Sequence, residues 1–174
     1  MKLCVLGLGY IGLPTAVMFS KHGVIVHGVD VNEEVIAKLQ NKQLHIFEPG
    51  LEEMLIESMD NGSLTVSTEP VAADAYIIAV PTPLNPDKSA NLNYVRSATE
   101  MIVPYLEKGN LVVLESTVPP KTVEDVMIPI LQKSGLEIGE ELFVSHSPER
   151  VMPGKLFEEL VSNDRTVGGI NEQS

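Results

Sequence analysis

The chain has 174 residues, 44% of them apolar, and a formal net charge of −12. That length suits one domain with a full core, and the acidity excludes a basic nucleic-acid surface. The single cysteine, Cys4, excludes an internal disulfide and points to the cytoplasm.

An apolar run at 2–7 reads as a strand and passes directly into Gly7-Leu8-Gly9-Tyr10-Ile11-Gly12. A helical pattern follows over 10–22, with Gly23 where that helix should end. The run is short and broken by two glycines, so it is neither a signal peptide nor a membrane span. A G-x-G-x-x-G between strand and helix is a dinucleotide-binding arrangement in which each glycine has a job. Gly7 lets the chain leave the strand in a tight turn. Gly9 lets a pyrophosphate approach the backbone. Gly12 lets the helix pack close to the strand. The helix start offers unpaired N–H groups and the positive end of its dipole to phosphates.

A second strand at 24–29 runs into Asp30, 18 positions after Gly12. Asp30 is placed to accept hydrogen bonds from the adenosine ribose hydroxyls. Val31-Asn32-Glu33-Glu34 supply no lysine or arginine to offset its repulsion of a 2′-phosphate. NAD is therefore expected rather than NADP.

Helices are predicted over 32–41 and 50–60, followed by strands at 64–67 and 75–80. A helix at 92–107, a strand at 111–115, a helix at 120–134 and a strand at 142–146 come next. A short helix at 154–161 and a short strand at 165–169 close the chain. Gly62 and Gly109 punctuate the series. Runs such as Tyr76-Ile77-Ile78-Ala79-Val80 are continuously apolar, as in strands buried on both faces. The alternation predicts an α/β fold over residues 1–174, a doubly wound, Rossmann-like parallel sheet ordered 3-2-1-4-5-6. In such sheets ligands lie beyond the carboxyl ends of the strands. Pro81-Thr82-Pro83, Ser116-Thr117-Val118 and His146-Ser147-Pro148-Glu149-Arg150 join the glycine turn there. The four histidines show no metal-ligand spacing with Cys4 or with carboxylates, so no metal is expected. Cys4 alternates into the first strand as a core thiol. Glu149 reads either as a solvated loop carboxylate or as a functional one. Arg150 reads as a substrate contact or as the partner of a nearby acid.

Several segments together resemble the UDP-glucose/GDP-mannose dehydrogenase family. They are G-L-G-Y-I-G-L-P (7–14), G-V-D-V-N (28–32), F-E-P-G-L-E-E (47–53), V-P-T-P (80–83), E-S-T-V-P-P (115–120), S-P-E-R-V-M-P-G (147–154) and D-R-T-V-G-G (164–169). The form S-P-E-R-V-x-P-G is similar to the branch that acts on UDP-N-acetylmannosamine, with the UDP-N-acetylglucosamine and UDP-glucose branches as alternatives.

The resemblance implies a cytoplasmic enzyme that oxidises the sugar C6 alcohol to a carboxylate with two NAD, for cell-surface polysaccharide synthesis. It also implies a thioester on a cysteine, hydrolysed by water. By motif, Thr117 and Glu149 match the residues that position and activate that water. Thr82 and Thr117 match cofactor contacts, beside Gly7, Gly9, Tyr10, Ile11, Gly12 and Asp30. Glu149 and Arg150 match substrate-facing positions. The catalytic lysine, asparagine and cysteine of the family lie further along, with the central dimerisation helix and the UDP-sugar domain of its homodimers. The chain is thus expected to be the cofactor domain of such an enzyme and inactive alone. A non-catalytic, stand-alone NAD-binding module is the other reading. No nucleic-acid or membrane partner is expected.

Overall fold

A computed structural model describes residues 1–174. A seven-stranded sheet has the order β3-β2-β1-β4-β5-β6-β7. Its strands are β1 (Lys2–Leu6), β2 (Ile25–Val29), β3 (Leu64–Ser67), β4 (Ala75–Ile78), β5 (Asn110–Leu114), β6 (Leu142–His146) and β7 (Gly168–Gly169). The first six run parallel in the expected order. Only the two-residue β7 is antiparallel, against β6. The last predicted strand is thus shorter than its sequence suggested, and residues 165–167 form a loop instead.

The apolar strands are explained by two cores, one on each face of the sheet. In β1, Cys4 and Leu6 point into a cluster with Tyr76, Ile78, Val112 and Leu114. That cluster is covered by α4 (Asn93–Ile102) and by α5 (Ile128–Leu131) with the turn before it. Leu3 and Val5 point to the opposite face, against α1 (Gly12–Lys21), α2 (Glu33–Gln40) and α3 (Leu51–Asp60). Cys4 is fully buried, and burial pushes its thiol up to about 11.

Two predicted helices are broken by proline, which lacks the N–H that a helix interior needs. Pro104 ends α4 early, and Val103–Tyr105 continues as a 3₁₀ turn. Pro129 sits more than two turns into the segment predicted over 120–134. The chain responds with a π turn at Val123–Met127 before α5 and a 3₁₀ turn, Gln132–Ser134, after it. The remaining helix, α6 (Leu156–Ser162), lies within two residues of its predicted bounds. No helix is long and apolar enough to cross a membrane.

At the β3 edge, His27 bridges two strands. Its Nδ1 lies 2.8 Å from Thr65 Oγ1 and its Nε2 2.8 Å from Ser67 Oγ. Burial lowers the His27 pKa below its ordinary 6.5. The unfolded chain therefore takes up this proton more readily than the folded one. The stability tied to neutral His27 is present above pH 6.5 and is lost as pH falls below it. Glu115, whose carboxyl is pushed above 4.5 by burial, acts in the opposite sense, losing its contribution as pH rises. A comparison of variants separates the two. His27→Gln is expected to flatten the fall in urea midpoint between about pH 7 and pH 5 relative to the parent. Parallel curves for the two proteins would count against a titrating His27.

Candidate cofactor and catalytic site

The glycine turn is built by backbone meeting backbone. Gly7 has φ +90°, and a β-carbon there would come 2.6 Å from the Ala79 carbonyl oxygen. A β-carbon on Gly12 would overlap the Gly7 carbonyl oxygen. Neither clash can be relieved by a rotamer, so only glycine suits either place. Gly9 differs: its φ is not positive, and a β-carbon there meets nothing within 4 Å. The restriction at Gly9 is therefore space for a ligand, not backbone conformation. Ile11 is the N-cap of α1, which has no side-chain cap and no acid in its first turn. An anion is the natural partner for such a helix start.

A cavity of about 770 Å³ opens in front of this turn. Gly7, Gly9, Tyr10, Ile11 and Asp30 line it, with Val31, Pro81, Tyr94 and Met101 supplying apolar wall. The bare backbone at Gly9, the uncapped helix and the carboxylate at the rim suit a dinucleotide in size and chemistry. Tyr10 is exposed, and its hydroxyl donates to the Phe47 carbonyl at 2.9 Å. Asp30 also has a structural role. Its Oδ2 accepts from Leu8 N and its Oδ1 from Asn32 N, both at 2.9 Å. The carboxylate therefore also holds the glycine turn, while its remaining lone pairs stay available at the cavity rim.

The segments after β4, β5 and β6 are laced together at the same edge. The Thr82 hydroxyl donates to the Thr117 carbonyl at 2.8 Å, and the Ser116 hydroxyl to the Val80 carbonyl at 2.7 Å. Glu149 N donates to the Glu115 carbonyl at 3.3 Å, and His146 Nε2 lies 3.1 Å from the Ser116 carbonyl. Thr117 is exposed at this junction.

Glu149 is no solvated loop acid: its side chain is only 5% exposed. Its Oε1 accepts from Arg150 N at 2.8 Å, and its Oε2 is ion-paired with Arg165. The Arg165 guanidinium also contacts Glu115 Oε1 at 3.0 Å, and Glu115 is buried. Thr15 of α1 donates its hydroxyl to Glu115 Oε2 at 3.2 Å. Arg150 is exposed and makes no acid pair within reach. It donates to the Asp164 carbonyl at 2.7 Å, beside Arg165. Glu48, buried, caps the start of α6 by accepting from Gly154 N and Leu156 N, both at 2.8 Å. In the sequence Glu115 and Arg165 stand only inside the longer motifs E-S-T-V-P-P and D-R-T-V-G-G. Their partners lie 50 and 16 positions apart, a separation that no local pattern reveals.

The sequence profile of the UDP-glucose/GDP-mannose dehydrogenase family, NAD binding domain, matches residues 1–174. A UDP-N-acetyl-D-mannosamine dehydrogenase of Methanococcus maripaludis is 48% identical, the match covering 99% of this chain and 40% of that protein. A UDP-N-acetyl-mannosamine dehydrogenase structure from Staphylococcus aureus superimposes with a TM-score of 0.96 at 52% identity, covering 99% of this chain and 42% of that one. A GDP-mannose dehydrogenase from Pseudomonas aeruginosa gives 0.93 at 28% identity, with 99% and 42% covered. The chain thus spans about two fifths of the length of the relatives it matches.

Three outcomes are expected from titration calorimetry. Gly9→Val should remain folded yet lose at least about 100-fold in NAD affinity, roughly 2.8 kcal/mol, because its side chain takes the ligand's space. An unchanged Kd would place the pyrophosphate elsewhere. NADP should bind at least about tenfold more weakly than NAD. Asp30→Asn should narrow that ratio while weakening both, since loosening of the turn falls on both cofactors alike.

Proposed function

The chain belongs to the UDP-glucose/GDP-mannose dehydrogenase family as its NAD-binding domain, and from that premise we propose that it serves a cytoplasmic enzyme oxidising UDP-N-acetylmannosamine to the corresponding uronate. The observation that carries this reading is the placement of Thr117 and Glu149 after adjacent strands, on the edge that holds the glycine turn. The similarity to UDP-N-acetyl-D-mannosamine dehydrogenases at 48% and 52% identity favours that sugar over glucose or N-acetylglucosamine.

Bound NAD would supply the hydride acceptor for both oxidations. The residues of this chain would hold it and manage water. Gly9 leaves room for the pyrophosphate, and the α1 N–H groups meet its charge. Asp30 accepts from the ribose hydroxyls with the lone pairs that the turn does not use. Tyr10, Ile11 and Thr82 complete the cofactor contacts. Thr117 orients a water, and Glu149 takes its proton as the oxygen attacks the thioester carbonyl. The proton is then returned to the departing thiolate, so the step consumes one water and regenerates the thiol. Arg150, exposed beside Glu149, has guanidinium N–H groups left to meet an anionic substrate group.

Cys4 has no part in this chemistry. It is a fully buried thiol in the middle of β1 with its pKa raised to about 11, so almost no thiolate is present. The thiol nucleophile and the sugar-orienting contacts must come from elsewhere in a longer protein. Residues 1–174 alone are therefore expected to give no detectable NADH from UDP-N-acetylmannosamine. Lost orientation alone is worth roughly 7–11 kcal/mol of barrier. In the full-length enzyme two NADH should form per sugar. Glu149→Gln should slow hydrolysis at least about 100-fold, leaving an acyl-enzyme visible by mass spectrometry after one turnover. Turnover by residues 1–174, or a fully active Glu149→Gln enzyme, would overturn the assignment.

A further inference from the structure

Two carboxylates and one guanidinium make a buried cluster with a net charge of −1. Arg165 bridges Glu115 and Glu149, whose side chains are 3% and 5% exposed. A lone Arg–Glu pair would make a poor base: once the glutamate took a proton, the guanidinium would be left without a counter-charge in a poorly solvated place. The second carboxylate removes that penalty. After Glu149 takes a proton, Arg165 and Glu115 remain as a neutral, hydrogen-bonded pair.

We propose that Arg165 and Glu115 are positioning residues for the hydrolytic step, Arg165 fixing the Glu149 carboxylate and Glu115 supplying the counter-charge that lets Glu149 accept the proton of water. The inference rests on the reading of Glu149 given above. It has structural support on three sides. Thr15 pins Glu115 Oε2, so its other oxygen is left to face Arg165. Arg150 ties the Asp164 carbonyl, which fixes the loop that carries Arg165. Arg150 N meets Glu149 Oε1, which leaves Oε2 to Arg165. Burial pushes the Glu115 carboxyl up, and the Arg165 guanidinium beside it pulls it back down. The other titratable groups close by are His22, just after α1 and on the same cavity wall as Arg165, and Glu159 of α6, occupied by Met152 N at 2.7 Å.

The test compares Glu115→Gln, Glu115→Asp, Arg165→Lys and Glu149→Gln in the full-length enzyme. NADH formation is followed through the first and second equivalents, with NAD affinity and melting temperature measured alongside. Glu115→Gln keeps the shape and the Thr15 contact but loses the charge. It is expected to slow hydrolysis at least tenfold and to accumulate acyl-enzyme. The first oxidation, KM for the sugar and Kd for NAD should stay within about twofold. The acid limb of its hydrolysis profile should move to lower pH. Glu115→Asp should recover most of the rate. Arg165→Lys, which keeps the charge but cannot span both acids, should slow the same step. If Glu115→Gln fails to fold, a slowed hydrolysis in folded Arg165→Lys carries the proposal and an unslowed one overturns it. Slow hydrolysis in Glu149→Gln with parental hydrolysis in both Glu115→Gln and Arg165→Lys would refute the positioning roles alone. Parental hydrolysis in Glu149→Gln would refute them together with the reading beneath them.

Discussion

The close approach of α1 to the end of β1 is the constraint from which the carboxyl edge of the sheet is built. It exists because side chains are missing: Gly12 lies against the Gly7 carbonyl, and Gly7 against the Ala79 carbonyl. Backbone against backbone allows no rotamer adjustment, so the helix start is held to one position relative to β1 and β4. That position aims the uncapped end of α1 into the cavity. It also brings Thr15, one turn into the helix, within reach of Glu115 beyond β5. Through Glu115 and Arg165 the same anchor reaches Glu149 beyond β6. α1 and the Glu149 loop are thus linked through one chain of contacts.

The sheet was legible in the sequence because a doubly covered strand is apolar at every position and a parallel strand needs a crossover. The order of the first six strands followed from that alternation. Local chemistry decided what was missed. Pro104 and Pro129 withdrew N–H groups from two helices that read as continuous by periodicity. In the candidate site, the glycine turn and Asp30 were legible because their signal is carried by spacing within one βαβ unit. Glu115 and Arg165 were not singled out, because the pairing of an acid after β5 with an arginine before β7 is created by the fold. The burial of Glu149 was hidden for the same reason: its covering partner is 16 residues away across a helix.

Asp30 ties together the two sides of the cavity mouth. A carboxylate offers about four lone-pair directions. Two are taken by backbone N–H groups at either side of the cavity mouth. An amide in its place would present a donor to one of those N–H groups, so it is the second carboxylate oxygen that keeps both sides of the turn held.

The antiparallel β7 has a consequence for the behaviour of the chain in concentrated solution. Without it, β6 would present a row of free backbone donors and acceptors, a template for edge-to-edge pairing between molecules. Gly168 and Gly169 occupy part of that row by pairing with Ser145 and His146. A strand of two glycines offers little surface for another chain to extend. At the opposite border, β3 spans only four residues, and Thr65 and Ser67 are engaged by His27. Both borders are thus short, leaving little edge for a strand of another molecule to extend.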